Sequence, residues 1–395
     1  MIPYTRKTLP NGLTVVVNRD RASKLAAVNI LYRVGARNEN PARTGFAHLF
    51  EHLMFRGTRA VENFDLPVQM ASGDNNAFTN NDYTDFYITL PKDNLETALW
   101  LESDRMEGLD ITPAKLEAEK KVVIEEFRQR YLNQPYGDQT MLLRALAYKV
   151  HPYRWAAIGL ATDHIAGATL ADVESFYRAH YRPSNAILSI SADMEEERML
   201  ELAEKWFAPL ADHPSETAAI PQEPVQTQAR RQEVERDVPA STVTVAYHMC
   251  ARTKPDFYTA DLVSDLLSGG DSGRLYTHLV KERNLLSSVN AYITGDVDPG
   301  LFVFTGQLLP GVTPEEIEAL QTTAATAYEI EKVKNKFEAN TLFGELNVMN
   351  KAMNLGFYEM LGDLSLINRE VDRYRAVTDE DIRSFSRRTL RPENS

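Results

Sequence analysis

The sequence predicts an α+β protein of two similarly built domains. Three observations lead there. The chain has 395 residues, more than one hydrophobic core usually organises, so two domains are the starting expectation. Strand-like alternation and helix-like periodicity are interleaved along both halves. Between the halves, from about residue 211 to 232, the chain is rich in Pro, Gln, Ala and Thr and loses apolar periodicity, as a linker does. The expected division is an N-terminal domain at 1–215, a linker at 216–232 and a C-terminal domain at 233–395.

The elements follow in order. Residues 8–17 form a hairpin pattern around an Asn11-Gly12 turn signal. Residues 27–34 alternate as a strand, and a helix carrying the run HLFEH (His48 to His52) comes next. A strand at 86–90 precedes helices at 95–105 and 113–131, and the half ends with a strand at 186–191 and a helix at 195–206. The second half repeats the opening: a strand at 241–249, then a helix at 258–267 in the place held by HLFEH. That second helix reads YTADLVSDLL and has no pair of metal ligands. The halves thus read as an internal duplication in which only the first copy kept a metal site.

Composition bounds the function. Hydrophobic content of 43% and charged content of 25% suit a soluble globular chain. No apolar run is long enough to span a membrane. The N-terminus lacks the basic-then-apolar pattern of a signal peptide, which predicts a cytoplasmic protein, or a periplasmic one if a leader was removed. The single cysteine, Cys250, rules out an internal disulfide. A net charge of −13 argues against nucleic-acid binding. It favours cationic peptides if the charge lines a substrate cavity.

The chemistry concentrates at HLFEH. His48 and His52 are four apart and share one helix face, so two imidazoles converge on one point, with Glu51 beside them. Two neutral imidazoles with a carboxylate that is not itself a ligand suit a hydrolytic zinc site. H-x-x-E-H is the inverted form of a zinc-peptidase motif. With 8 histidines in the chain, such a match arises by chance in roughly one case in fifty, so the motif alone is a hypothesis. A catalytic zinc wants a third protein ligand. The helix at 113–131 offers Glu119 and Glu126, two turns apart on one face, with Glu125 about a quarter-turn away. The plain alternative is a solvated, charged helix face.

HLFEH followed by Gly57-Thr58, then NAFTNNDYTDFY, then EAEKKVVIEE resembles the pitrilysin/insulinase-like metallopeptidases, in the short-subunit branch that includes the mitochondrial processing peptidase and its bacterial relatives. The resemblance implies two homologous α+β domains, each a mixed, mostly antiparallel sheet with helices packed on one side. It implies one Zn2+ per chain held by His48, His52 and Glu126, with Glu51 as general base. Glu126 lies 74 residues after His52, where the family places its third ligand. Glu125 is the alternative. Glu119 becomes a carboxylate that orients a ligand histidine. The segment from Gly73 to Thr79 resembles the family's substrate-pairing edge strand, implying that Asn76, Ala77 and Phe78 bind an extended peptide.

One departure qualifies this. Gly269 to Leu275 resembles a glycine-rich family segment whose arginine, here Arg274, and a tyrosine thirteen residues on contact substrate. Position 287 is Ser287, and Tyr292 lies five residues further. The expectation is a zinc-dependent endopeptidase for peptides or unfolded segments, working inside a dimer chamber as the zinc-bearing half of a heterodimer. A homologous partner would supply the Arg/Tyr pair; otherwise the chain would form a homodimer. The rival is a non-catalytic assembly subunit of a larger complex.

Overall fold

The computed structural model describes residues 1–213, 215, 218–314 and 325–395. Residues 216 and 217, where the expected linker begins, lie outside the described residues. The chain forms two compact units. The first comprises Met1–Asn133, His151–Gln222 and Phe343–Asn368; the second comprises Gln134–Val150, Glu223–Leu342 and Arg369–Ser395. Each unit draws segments from both halves of the sequence.

The first unit is built on six strands: β1 (Thr5–Thr8), β2 (Thr14–Arg19), β3 (Leu25–Tyr32), β4 (Asp74–Thr79), β5 (Thr84–Pro91) and β6 (Ala186–Ala192). Their order is β1-β2-β6-β3-β5-β4. β2 and β6 run parallel and the other neighbours antiparallel, so the sheet is mixed. β3 pairs Val28 with Ile88 on one side and Ile190 on the other. Its residues from Ala26 to Tyr32 are buried, which explains its near-continuous apolar run.

The helices of the first half that position the site are α1 (Phe46–Leu53), α2 (Leu95–Glu107), α3 (Pro113–Phe127) and α4 (Leu170–His180). Helix α2 lies on one sheet face: its Arg105 sits over the ring of Phe86, the cross-strand neighbour of Ile30. The helix Val348–Met360 covers the opposite face. Its Ala352 packs with Ala27, and its Leu355 joins Val16, Leu31 and Ile187. Gly356 permits the close approach, since a Cβ there would lie 2.8 Å from Asn29 Oδ1 and 3.2 Å from Ser189 Oγ. Helices thus lie on both faces of this sheet, α2 on one and this late helix on the other.

The second unit has a three-stranded antiparallel sheet of β7 (Thr242–His248), β8 (Leu286–Ile293) and β9 (Leu301–Leu308), in the order β7-β9-β8. This repeats the order β3-β5-β4. Helix α5 (Asp256–Ser268) follows β7 as α1 follows β3, and packs into a core with Phe302 and Phe385. The repeat extends to single side chains. Lys120 Nζ on α3 donates to Ala168 O at 3.1 Å, just before the Thr169/Asp172 capping box of α4. Lys334 Nζ on α6 (Ala327–Gly344) donates to Val377 O at 2.5 Å, just before the Thr378/Asp381 capping box of α7 (Asp379–Thr389). Asn185 Nδ2 reaches back to His180 O and Asn394 Nδ2 to Thr389 O, each at 2.8 Å. The same helix entries and exits therefore recur in both units. Among the described residues no helix is long and apolar enough to cross a membrane.

Candidate metal centre and active site

Helix α1 is pinned before it presents any ligand. It starts after Gly45, whose φ of +91° favours glycine and whose added Cβ would lie 2.6 Å from Ile158 O. Buried Glu39 accepts the N–H of Gly45 at 2.9 Å and of Ala47 at 2.8 Å, and Trp155 Nε1 donates to it at 3.2 Å. The carboxyl oxygens here satisfy donors that the start of a helix leaves without partners. Burial pushes the Glu39 carboxyl up to about 8, against the hydrogen bonds that pull it down.

Leu49, Phe50 and Leu53 turn one face of α1 into the core. The period of 3.6 then directs His48, Glu51 and His52 away from it. Helix α3 lies alongside, and its Glu126 closes the cluster: Oε2 is 3.7 Å from His48 Nε2 and 3.4 Å from His52 Nε2. The rings of His48 and His52 stand 4.8 Å apart, inclined at 73°. One donor atom from each of His48, His52 and Glu126 lies within 4.8 Å of the others. Two imidazole nitrogens and a carboxylate oxygen form a donor set that fits zinc with a position left open for water. Glu125 is turned elsewhere, 3.7 Å from Arg128 Nη1 and facing Gln129.

Around these groups sit others that tune them. Glu119 is buried, with Oε2 3.5 Å from His52 Nδ1 and Oε1 2.5 Å from Arg56 Nε. Arg130 Nη1 holds the other oxygen of Glu126 at 3.0 Å. Burial pushes His48 down to about 4. Burial also acts to lower His52, but Glu119 and Glu126 outweigh it and hold that ring at about 9. Glu51 is raised by burial, with the Thr79 hydroxyl and His52 working against the rise. A carboxyl so raised is a better base than an ordinary one.

Strand β4 is the edge of its sheet and borders the same cleft. Asn76 is exposed, and its Oδ1 accepts the N–H of Ala77 at 2.9 Å. Phe78 packs edge-on against Tyr83, 5.6 Å between centroids. The cleft, about 770 Å3 in volume, is lined by Glu51, His52, Asn76 and Glu119 among others. The structure thus gathers His48, His52, Glu126, Glu119, Glu51 and the Asn76 strand. Arg274 belongs to the second unit, where Glu329 grips its guanidinium through two contacts of 2.7 Å. Ser287, also in that unit, donates to Gln307 Oε1 at 3.1 Å. Glu39, Arg56, Thr79 and Arg130 are contributors that sequence reasoning missed. Only Arg130 carried a signal, its i,i+4 spacing from Glu126.

Comparison with known proteins agrees with this geometry. The profile of the insulinase family, peptidase family M16, matches residues 14–155, and that of the M16 inactive domain matches residues 167–341. The zinc protease PqqE of Helicobacter pylori is 33% identical over 341 residues, spanning 83% of this chain and 77% of the relative. A probable mitochondrial-processing peptidase subunit beta of Arabidopsis thaliana is 26% identical over 315 residues, covering 76% of this chain and 59% of that one. The crystal structure of a protease from Helicobacter pylori superposes with a TM-score of 0.93 at 28% identity, covering 100% of this chain and 98% of the other. On these grounds the chain belongs to the insulinase family, peptidase family M16, and is a metalloprotease of that family.

Proposed function

We propose that this chain is a zinc-dependent endopeptidase for peptides or unfolded segments, and the zinc-bearing subunit of a heterodimer that encloses its substrate. The observation that carries the hydrolytic part is the convergence of His48 Nε2, His52 Nε2 and Glu126 Oε2 beside Glu51, in a cleft bordered by an open strand edge. His48, His52 and Glu126 would hold a zinc ion, which when bound would supply Lewis acidity. Glu51 takes the proton from the attacking water and passes it to the departing amine nitrogen as the C–N bond breaks. β4 offers main-chain hydrogen bonds to an extended peptide, so affinity comes with little demand on side chains. Glu119 holds His52 by the nitrogen turned away from Glu126.

Two features support a partner. The Arg274 guanidinium is already matched by Glu329, and Ser287 is too short to replace a phenol. A homologous subunit with an intact Arg/Tyr pair would supply those contacts. The experiment measures zinc content and peptide cleavage for the native chain and Glu51→Gln, each alone and mixed with such a subunit. We expect Glu51→Gln to keep its zinc and lose turnover by about 10²- to 10⁴-fold. Full activity with zinc retained would sink the role of Glu51. Activity of the native chain that a partner does not raise would sink the heterodimer.

A further inference from the structure

The two carboxylates of α3 that meet the histidines are divided in the same way. Glu119 turns Oε2 to His52 Nδ1 at 3.5 Å and Oε1 to Arg56 Nε at 2.5 Å. Glu126 turns Oε2 to the Nε2 atoms of His48 and His52, at 3.7 and 3.4 Å, and Oε1 to Arg130 Nη1 at 3.0 Å. In each, one oxygen faces the histidines and the other faces an arginine. Arg56 follows α1 and Arg130 follows α3, so the pattern is built twice from different elements.

A change in the helix sets Arg130 in place. Just past Glu126 and Phe127 the chain widens into a π turn at Arg128–Leu132, closed by the Asn133 N–H donating to Arg128 O at 2.8 Å. A wider turn brings the residue four places on more nearly above its partner than an α turn does. Tyr131 packs on buried Phe127, with ring centres 5.6 Å apart, and anchors the turn to the core. The Arg130 side chain is 68% exposed, so the contact with Glu126 and not burial fixes its tip. Among the described residues Glu126 is its one ion-pair partner.

A carboxylate can offer a metal one oxygen or two. A second oxygen would take up the position that a catalytic zinc keeps for water. We propose that Arg130 is a positioning residue that restricts Glu126 to ligation through Oε2 alone, and so keeps a coordination position open. The inference rests on the metallopeptidase reading, because it takes His48, His52 and Glu126 as the ligands of a catalytic zinc. An exposed ion pair of this kind adds little to stability. The loss of Arg130 should therefore register at the metal and not in folding.

The test uses the full-length protein with cobalt(II) in place of zinc, because the visible absorption of cobalt reports coordination number and geometry. Arg130→Met keeps the stem and removes the charge, and Arg130→Lys returns a cation. The native chain should show the intense bands of a four-coordinate centre. Arg130→Met should bind cobalt and zinc at least as tightly, read by competition with a chromogenic chelator. It should nonetheless lose most of the band intensity, as Glu126 closes on the metal with both oxygens. Arg130→Lys should restore much of it, which ties the effect to the cation. With metal bound, bands unchanged in Arg130→Met, or already weak in the native chain, overturn the role of Arg130 alone. So does a loss of zinc affinity of about 10- to 100-fold in Arg130→Met, which would mean that Arg130 supports the ligand without restricting it. A native chain that takes up neither metal overturns the metallopeptidase reading, and the role of Arg130 with it.

Discussion

Glu119 lies 3.5 Å from the Nδ1 of His52, on the opposite side of that ring from Glu126. One imidazole is therefore held between two carboxylates of a single helix, one on each nitrogen. The contact fixes which nitrogen faces the metal position and makes it more basic. Glu119→Gln keeps the shape and removes the charge. It should lower zinc affinity by about 10- to 100-fold with helical content unchanged. Competition with a chromogenic chelator reads this directly, and an unaltered affinity would show that His52 needs no such support.

Glu125 and Glu126 are neighbours with opposite fates. Glu126→Ala should abolish stoichiometric zinc at micromolar protein, because two imidazoles alone leave the site a ligand short. Glu125→Ala should bind zinc as the native chain does. Metal analysis after gel filtration separates the two. Zinc lost from Glu125→Ala and kept by Glu126→Ala would reverse the assignment.

His180 sets a pH dependence of stability away from the metal. Burial, with its ring 4.6 Å from that of Phe176, pushes it down to about 4, and Arg182 adds to the effect. In the unfolded chain the same imidazole titrates near 6.5. As pH falls below about 6.5 the unfolded state gains a proton that the native state refuses until about 4. Stability is lost through that window and levels off beneath it, by about 3 kcal/mol at most. His180→Asn should flatten this part of the profile. Urea midpoints at pH 7 and pH 4.5 for both proteins give the difference, and equal slopes would remove His180 as its source.

Arg105 and Glu102 form a fully buried ion pair, with the guanidinium 4.4 Å from the ring centre of Phe64 and 4.2 Å from that of Phe86. Arg105→Met leaves Glu102 uncompensated in an apolar setting and should cost about 3–5 kcal/mol. Replacing both residues by methionine should recover most of that loss. Denaturant unfolding of the single and double variants decides it. A double variant no more stable than the single would mean that packing, not charge, dominates.

The sequence shows the candidate metal cluster of His48, His52 and Glu126 clearly and its surroundings poorly, for a physical reason. His48, His52 and Glu126 stand out because helical spacing converts directly into shared faces. Glu39 acts from before the helix it caps, through backbone N–H groups, and nothing in a residue pattern announces which carboxylate will fold back to do so. Arg56 and Thr79 meet their partners across separate elements. The opening strand and helix of the second unit are legible as an echo of the first, but its strands β8 and β9 and their order are not, nor is the helix Val348–Met360 legible as part of the first unit. Amphipathic periodicity says that a helix buries a face, never which sheet receives it.

The place of that late helix governs how the protein can be made. Val16, Leu31 and Ile187 stay uncovered until Leu355 arrives, although the strands that carry them leave the ribosome much earlier. The first unit therefore waits, with an apolar sheet face open to chaperones or to wrong partners, until synthesis has passed the helix Val348–Met360. A nascent or proteolysed chain that stops short of Phe343 would hold every ligand of the metal cluster on a half-finished core. Hydrolytic competence is in this way tied to the arrival of a helix that lies more than two hundred residues beyond the cluster it supports.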